Sequence, residues 1–354
     1  MLLILLACPG GAAAFESDQI TRRAQPLGDA LAAANERADQ LLALAVDRTN
    51  ERTGCRQDAA TTHRVLARQV FHVMGRRTWV PARGELPQME FGAYGAWMES
   101  GPVDRRTFAV RDDLYSRVRP DERPILALFG PASTVRLGDL LVGTDKIDHF
   151  WVQGWLYWLR SHRGVDEARA VAWGTRTELQ IWGQATTGVF SWGDLAANHS
   201  GYLFYADLLS DRSPVELGED GCVALVRGFR WEQWADGRFD EVLNPSTYRP
   251  RLQDDLQGYL ARNRDNICAE LPLWMNEEVE ETRREITEEP VDYASDAAPP
   301  REDPFGLEAL CAGVQSPVEE SGEAWTDGWR APWRVARRDS PRPKGPGNRR
   351  RAQQ

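Results

Sequence analysis

The sequence predicts a mainly α-helical fold, an irregular helical bundle with long ordered loops followed by a disordered C-terminal tail. Three observations support this prediction. Apolar residues recur at helical spacing in several stretches, and Gly and Pro separate these stretches. After Trp274 the composition becomes first acidic and then basic, with many Pro and Gly. A chain of 354 residues has room for one or two domains, and we predict one over residues 15–275, with a central three-helix core at 143–209.

The charge and hydropathy of the chain exclude two classes of protein. Its 43 Lys and Arg against 53 Asp and Glu give a formal charge of -10, which is unsuited to general nucleic-acid binding. The mean hydropathy is -0.51, and no apolar run approaches the roughly 18 residues that a membrane-spanning helix requires. We therefore expect no nucleic-acid partner and no transmembrane span. The 14 Trp residues are expected in the core or along the wall of a groove.

Residues 1–14 have the pattern of a signal peptide. A short apolar run ends in three alanines at 12–14, which fit the small-residue rule for signal-peptidase cleavage before Phe15. We therefore expect an exported protein of the periplasm or outer envelope. Residues 5–8 also resemble a lipoprotein box, and in that alternative Cys8 is the lipidated N-terminus.

The five cysteines do not have the spacing of a zinc site, because no two of them form a CxxC pair. They occupy positions 8, 55, 222, 268 and 311. If Cys8 leaves with the signal peptide, an even number remains in an oxidising compartment, where disulfides form and persist. We expect one or two disulfides, and four cysteines allow three full pairings that the sequence does not distinguish. In the alternative, some of the four are small buried hydrophobic residues.

Two amphipathic helices are predicted ahead of the core. Residues 26–52 carry Leu, Ala and Val at helical spacing, and Gly54 is expected to end this helix. Residues 57–76 form the second helix. Its histidines, His63 and His72, are nine positions apart and do not share a face, so we expect ordinary surface or core roles for them.

Four other segments complete the prediction outside the core. Residues 79–101 are rich in Gly, Pro and aromatic residues without a sustained period, which predicts an ordered loop. Residues 124–142 contain short apolar runs broken by Gly and Pro, which predicts a short helix or a small hairpin. Residues 250–263 predict a helix that packs on the central bundle, and residues 276–354 predict a disordered tail because they have too little apolar surface to bury.

Glycines divide the central region into three helices. We expect the first from Thr144 or Asp145 to about Arg160, the second from about Asp166 to Gly183, and the third from Ser191 to about Leu209.

On the first central helix a polar stripe lies beside an aromatic one. Asp145 and His149 are four positions apart and therefore share a face. Trp151, Trp155 and Trp158 form a second stripe at similar spacing. This arrangement suits a helix that lines a pocket, and it equally suits a buried helix whose histidine is paired with a neighbouring carboxylate.

The other two central helices add further polar residues. Glu178 lies among tryptophans on the second helix, where a buried acid needs a partner such as Lys146, an arginine, a histidine or a bound cation. Asp194 and Asn198 share a face of the third helix, and His199 lies one step round from Asn198. Small residues beside them allow another helix to approach closely.

These residues have two interpretations. Carboxylates and imidazoles that converge from several helices build metal sites in helical bundles. In the alternative they form a structural polar core, in which Asp145 with Asp148, and Ser191 with Asp194, fit N-terminal capping patterns. Capping does not account for His149 or Glu178. The chain has no GxSxG, HExxH, P-loop or GxGxxG motif, so any chemistry would be acid–base or metal-assisted hydrolysis.

The same region resembles the VanZ-like family and, more closely, exported proteobacterial proteins with GTDKxxHF followed by SxxDxxxNxxG. Here these motifs are GTDKIDHF at 143–150, Glu178 between them, and the Ser, Asp, Asn and Gly at 191, 194, 198 and 201. VanZ-like proteins are membrane-embedded and linked to teicoplanin resistance. The matching helices here are too polar and too short to span a membrane, and the family's arginine before the serine is absent from 186–190. Membrane insertion and resistance are therefore not implied. The resemblance implies a helical core that gathers six residues, namely Asp145, Lys146, His149, Glu178, Asp194 and Asn198.

We expect from these observations an envelope-associated binding or structural module, with peripheral membrane contact. Its aromatic-lined groove is expected to bind a lipid, a cell-wall-related ligand or a partner protein. The residues expected to contact the ligand are Asp145, Lys146, Trp151, Trp155 and Asn198. The alternative is a metal-assisted hydrolase with a divalent metal. Its candidate catalytic residues are His149, Glu178, Asp194 and His199, and its candidate metal ligands are His149, Glu178 and Asp194.

Overall fold

The structure is a computed structural model, and it describes residues 16–75, 77–78, 91–108, 112–115, 131–181, 183–185, 187–289, 291–301 and 305–312. The prediction of a mainly α-helical fold is confirmed. The predicted signal peptide at 1–14, with Cys8, and the basic end of the tail at 313–354 lie outside the described residues. In the part of the chain that is described, no helix is both long enough and apolar enough to cross a membrane.

The helices are numbered in chain order. They are α1 (Leu31–Thr53), α2 (Ala59–Met74), α3 (Ala93–Ser100), α4 (Thr144–Asp148, a π-helical turn His149–Gln153, and Gly154–His162), α5 (Glu167–Gln180), α6 (Trp192–Asp207), α7 (Pro250–Arg262), α8 (Arg264–Trp274), α9 (Glu277–Glu288) and α10 (Leu307–Cys311).

The described strands are short and pair as two-stranded antiparallel ribbons. They are β1 (Arg77–Thr78) with β2 (Phe91–Gly92), β3 (Thr134–Leu137) with β4 (Leu140–Gly143), β5 (Val189–Phe190) with β8 (Thr247–Tyr248), and β6 (Val215–Leu217) with β7 (Val223–Leu225). Of these, β3 and β4 form a hairpin that leads directly into α4.

Helices α1 and α2 form an antiparallel pair whose ends follow from the sequence. Gly54 adopts a left-handed conformation (φ 58°) at the end of α1, and its N–H donates to the carbonyl of Asn50. Asp58 caps α2 by accepting a hydrogen bond from the N–H of Thr61. Leu42 and Leu66 lie fully buried on the facing sides of the pair. The predicted helices at 26–52 and 57–76 are thus present.

Helices α4, α5 and α6 lie where the three central helices were predicted. Helix α6 passes very close to α4, because a Cβ atom on Gly201 would collide with the carbonyl oxygen of Phe150, and one on Gly154 would collide with the backbone of Gly201. The π-helical turn of α4 begins at His149, and such turns are frequent at functional positions. The close approach brings the polar faces of α4 and α6 together.

A cluster of buried aromatic side chains holds α3, α4 and α6 against the segment 229–234. Its members are Tyr94, Phe150, Trp151, Phe204, Phe229 and Trp231. Two of its polar groups are paired, since the indole Nε1 of Trp231 donates to the hydroxyl of Tyr94 (2.9 Å), which donates to the carbonyl of Ala34 (2.6 Å). The indole Nε1 of Trp151 is buried without a hydrogen-bond acceptor among the described residues. Both tryptophans of this cluster, Trp151 and Trp231, are therefore buried in the core.

Two predictions for the irregular segments are resolved. The loop predicted at 79–101 was wrong at its end, because Ala93–Ser100 is a helix, whereas residues 79–90 lie outside the described residues. This short helix has no side-chain cap and is fixed by packing, with Tyr94 and Met98 buried. Of the two alternatives for 124–142, the hairpin is observed in the described part, 131–143.

The acidic segment after residue 275 corrects the prediction of a tail that is disordered from 276 onward. The first turn of α9 contains Glu277, Glu278 and Glu280, which the helix dipole favours. Asn276 caps this helix by accepting from the N–H of Val279. Val279, Thr282 and Ile286 are buried on one face of the helix. Beyond α9, Tyr293, Phe305 and Leu307 are also buried. The packed chain therefore continues to at least residue 312.

The four cysteines of the described chain form two disulfides. Cys55–Cys222 joins the turn after α1 to the β6–β7 ribbon, and Cys268–Cys311 joins α8 to α10. The expected disulfides are thus present, and the structure selects one of the three pairings that the sequence allowed. The second bridge anchors the segment 305–312 to the domain.

Candidate functional site

The centre of the candidate site is Lys146, a fully buried lysine on the first turn of α4. Its ammonium Nζ lies 2.6 Å from Asp145 Oδ2, 2.8 Å from Asp194 Oδ1 and 2.7 Å from Glu241 Oε1. The contacts with Asp145 and Glu241 are hydrogen bonds that the ammonium donates, and the contact with Asp194 is an ion pair. The hairpin β3–β4 fixes the start of α4, and the N-terminus of α6 supplies Asp194.

A second polar chain continues from Asp194 along the interface of α4 and α6. The Nε2 atom of His149 lies 3.2 Å from Asp194 Oδ2, and its Nδ1 lies 2.9 Å from Asn198 Oδ1. The amide of Asn198 in turn reaches the hydroxyl of Tyr157 (3.4 Å). Because Asn198 Oδ1 can only accept, this contact places a proton on Nδ1 of His149. His149 is thus oriented by α6.

Two further buried acids complete the cluster. Glu16, in the N-terminal segment, accepts a hydrogen bond at Oε1 from the hydroxyl of Thr187 (2.9 Å). Glu178, on α5, accepts at Oε1 from the backbone N–H of Ser191 (3.2 Å). We expected a cationic partner for Glu178, but the donor observed among the described residues is a backbone amide at the N-cap of α6.

Burial raises the pKa values of most acids in the cluster, because the charged form loses its solvation. The pKa values of Glu16, Asp145 and Glu178 are raised for this reason, with the charge of Asp194 adding to the effect. The pKa of Glu241 is raised to about 7, since burial outweighs the attraction of Lys146.

Asp194 and Lys146 are held in their charged forms. Burial alone would raise the pKa of Asp194, but the neighbouring His149 and Lys146 outweigh it, and the pKa lies below its ordinary value. Burial alone would lower the pKa of Lys146, but Asp145, Asp194 and Glu241 outweigh it, and the pKa lies well above the ordinary value. The pair of Lys146 and Asp194 is therefore a buried ion pair over the physiological pH range.

The structure brings together all six residues that the family resemblance gathers into one core. They are Asp145, Lys146, His149, Glu178, Asp194 and Asn198, and each is at most 4% exposed. His199 lies elsewhere, with its Nε2 atom 3.1 Å from Glu167 Oε1 and its ring stacked on Tyr202. Of the predicted ligand-contacting residues, Trp151 is sealed in the aromatic cluster, and Trp155 is half-buried and reaches the surface.

Sequence reasoning missed two members of the cluster, Glu16 and Glu241. Glu16 directly follows the predicted cleavage site and its Phe15, a position that carries no helical or strand pattern. Glu241 lies between Phe239 and Leu243, and an acid among apolar residues was a usable signal of a buried charge. Both residues reach the site through long-range contacts that local patterns do not contain.

Three carboxylates are close enough to share one ligand. Oxygen atoms of Glu16, Asp145 and Asp194 lie within 4.8 Å of one another. Glu178 and His149, the other candidate metal ligands, are not members of this group. Carboxylate oxygens suit hard cations such as Ca²⁺, Mg²⁺ and Mn²⁺. As it stands the cluster can hold ions and protons, and its side chains are almost completely buried.

An open groove lies on another face, beside α1, α2 and α4. Its volume is about 690 Å³, and Trp155, Trp158, Val65 and Leu159 supply its apolar wall. Trp155 is stacked on Phe71 with ring centres 4.2 Å apart. The polar residues around this basic groove include four arginines, Arg52, Arg64, Arg68 and Arg163, together with His162.

The arginines of the basic groove make no ion pair within the part of the chain that the structure describes. Among the described residues, Arg52, Arg64, Arg68 and Arg163 form no ion pair, and Arg64 instead donates to the hydroxyl of Thr61 (3.1 Å). A neighbouring groove of about 510 Å³ shares Arg52 and adds Arg48 and Glu51. The cationic surface is thus continuous along the two helices, with Glu51 as the acid at its edge.

Comparisons with known proteins yielded no matching family model, no similar curated protein and no similar solved structure.

Proposed function

We propose that this protein is an exported envelope module that binds anionic phospholipid headgroups in the basic groove. The observation that carries this proposal is the half-buried Trp155 in a groove lined by four arginines that form no ion pair with any described residue. In this proposal the ligand is bound at the membrane surface.

The charges of the groove favour a phosphate. Arginine matches phosphate oxygens with a planar pair of donors, and a guanidinium with no ionic partner is available for such a bond. The whole chain has a formal charge of -10, so four clustered arginines are a local reversal of its overall sign. A surface of this kind is attracted to an anionic bilayer and leaves the rest of the molecule in water.

The apolar wall of the groove favours an amphiphile over a free anion. Tryptophan is enriched where an apolar surface meets water, as at the headgroup level of a bilayer. Trp155 presents an apolar ring directly beside Arg64 and Arg68, which suits the junction between a charged headgroup and an acyl chain. A volume of about 690 Å³ is also within the range of small-molecule sites.

Export is part of the same proposal. Support comes from the two disulfides, which persist in oxidising compartments, and from the signal-like pattern at residues 1–14. The resemblance to exported proteins with the GTDKxxHF motif agrees with it. Expression in a bacterial host followed by fractionation and N-terminal sequencing tests the claim. We expect the mature chain to begin at Phe15, and an unprocessed cytoplasmic chain or a lipidated start at Cys8 would contradict this.

Hydrolysis at the buried cluster is not proposed. A substrate must reach the reacting groups, and His149, Glu178 and Asp194 are at most 2% exposed. The cluster is instead consistent with a structural or ion-holding role beneath the binding surface.

The direct test is co-sedimentation with vesicles. We expect the full chain to bind phosphatidylglycerol vesicles and to bind phosphatidylcholine vesicles far more weakly. The variant Trp155→Ala should lose at least about 10-fold in affinity, because it removes a ring that contributes on the order of 1.5–3 kcal/mol of apolar burial. Trp173→Ala is the matched control, since Trp173 is also half-buried but lies outside the groove.

Three outcomes would contradict the proposal. They are equal binding to both kinds of vesicle, retention on isolated peptidoglycan without binding to vesicles, and equal effects of the two tryptophan variants when both remain folded by circular dichroism.

A further inference from the structure

The buried cluster carries more negative charge than its own cations can balance. Five carboxylates converge there, and each is at most 4% exposed. They belong to Glu16, Asp145, Glu178, Asp194 and Glu241. Among the described residues, the basic side chains in this cluster are Lys146 and His149. Buried acids in excess must hold protons or a further cation, since an isolated ionised carboxylate in a dry environment is strongly unfavourable.

Lys146 does not reach every acid in the cluster. It donates hydrogen bonds to Asp145 Oδ2 and Glu241 Oε1 and forms an ion pair with Asp194 Oδ1 at 2.8 Å. Glu16 receives a hydrogen bond at Oε1 only, and its fully buried Oε2 accepts none from the described residues. The Oδ1 atom of Asp145 is likewise buried without a donor in the described chain. Two carboxylate oxygens are therefore left without a partner.

These acids are spaced as ligands of one ion. Carboxylate oxygens of Glu16, Asp145 and Asp194 lie within 4.8 Å of one another. Oxygens bound to one Ca²⁺, Mg²⁺ or Mn²⁺ at about 2.0–2.6 Å are separated from one another by about 3–5 Å. The orphaned oxygens and this spacing are separate observations, and both indicate a cation.

We infer that Glu16, Asp145 and Asp194 bind one divalent cation of the hard, oxygen-preferring class, Ca²⁺, Mg²⁺ or Mn²⁺, next to the Lys146 ammonium. The three negative charges of these ligands are then balanced by the ion and by Lys146. Carboxylate ligands without thiolates or a direct imidazole disfavour zinc and copper at this position. Because the ligands come from the N-terminal segment, α4 and α6, the ion joins three parts of the chain that are distant in sequence.

Such a site is loaded as the chain folds, because its ligands are sealed in the folded molecule. Binding of the ion to the folded state alone then adds to stability. The inference is independent of the basic groove, which contains none of these residues. Failure of the vesicle experiments and failure of the metal experiments are therefore distinguishable.

The test is the metal content and thermal unfolding of the full chain. We expect about one divalent ion per chain by elemental analysis after refolding, with disulfides intact, in Ca²⁺, Mg²⁺ or Mn²⁺ alone. At an ion concentration about 100 times its dissociation constant, the unfolding midpoint should rise by about 5 °C relative to refolding in EDTA.

Two ligand variants and one control locate the ion. Glu16→Gln and Asp145→Asn should lose the bound ion and the rise in midpoint. Glu99→Gln should keep both, because Glu99 is a buried acid whose hydrogen bonds come from Ser133 and Thr144 outside the cluster.

The inference is overturned if the wild-type chain binds none of the three ions and its midpoint does not respond to them. It is equally overturned if the two ligand variants retain the ion as well as the control does. If one ligand variant does not fold, the other and the wild-type measurement still decide the question.

Discussion

At the scale of single residues, the buried charges of this protein are arranged around Lys146. Its ammonium is the direct ionic partner of Asp145, Asp194 and Glu241, and all four residues are at most 4% exposed. A buried ion pair adds little net stability relative to an apolar pair, but removal of one partner leaves the other charge uncompensated. Loss of the Lys146 ammonium is therefore expected to destabilise the folded protein.

Replacing this cation should have a large effect on folding. We expect Lys146→Met to lower the free energy of unfolding by about 3–5 kcal/mol, because it leaves buried carboxylates without a counter-charge. Arg284→Met, an exposed change from a cation to the same side chain, should change it by no more than about 0.5 kcal/mol. Urea unfolding measures both values, and a similar small effect of the two variants would show that the acids are already neutral without Lys146.

The raised pKa of Glu241 predicts how stability depends on pH. Its folded-state pKa is about 7 and its ordinary value is 4.5, so the folded state binds a proton more tightly than the unfolded state. The stability from this group is fully present below its ordinary pKa and is lost as the pH rises through about 7.

Glu241→Gln removes this titration and keeps the shape of the side chain. The free energy of unfolding of the wild type, minus that of the variant, should therefore fall between about pH 5 and about pH 8. Urea titrations in EDTA measure this difference without interference from divalent ions. A difference that is constant or rises with pH would contradict the raised pKa.

At the scale of elements, the contact of α4 with α6 decides whether the polar faces meet. Gly201→Ala should destabilise the protein by about 1–3 kcal/mol, because its Cβ atom would strike the backbone oxygen of Phe150. Gly258→Ala, in the interior of α7, meets only the mobile end of Arg262 and should stabilise by up to about 1 kcal/mol. Thermal unfolding shows whether each variant is less or more stable than the wild type. If both variants change stability in the same direction, the close contact of α4 with α6 is contradicted.

Elements were predictable from sequence where local signals were strong. Gly54, the Asp58 cap and the glycines between the central helices set helix ends that the structure reproduces. Helix α3 was missed because its eight residues have no cap and depend on tertiary packing. Helix α9 was missed because its acidic composition concealed a buried face with Val279 and Ile286 at helical spacing.

The site was only partly predictable for a similar reason. Residues that share a helix face, such as Asp145 with His149 and Asp194 with Asn198, could be grouped from their spacing. Glu16 and Glu241 could not, because they come from segments without a regular period and meet the helices only in the folded chain. The basic groove was also hidden, since its arginines belong to α1, α2 and the turn after α4.

At the scale of the whole molecule, the buried cluster and the basic groove carry side chains of opposite charge. Acids are concentrated inside around one lysine, and arginines without ion-pair partners in the described chain lie outside around Trp155. The two disulfides fix the periphery, one between α1 and the β6–β7 ribbon and one between α8 and α10. The basic groove is therefore a cationic, partly apolar surface on a protein that is acidic overall.

The most direct measurement is therefore the dissociation constant for phosphatidylglycerol vesicles after charge reversal inside and outside the groove. We expect Arg64→Glu with Arg68→Glu to weaken binding by at least about 30-fold, because each surface arginine contributes on the order of 1 kcal/mol at an anionic bilayer. The control, Arg249→Glu with Arg284→Glu, makes the same change in net charge at exposed positions outside the groove and should weaken binding far less. If the two double variants have the same dissociation constant for the vesicles, the basic groove is not the lipid-binding surface.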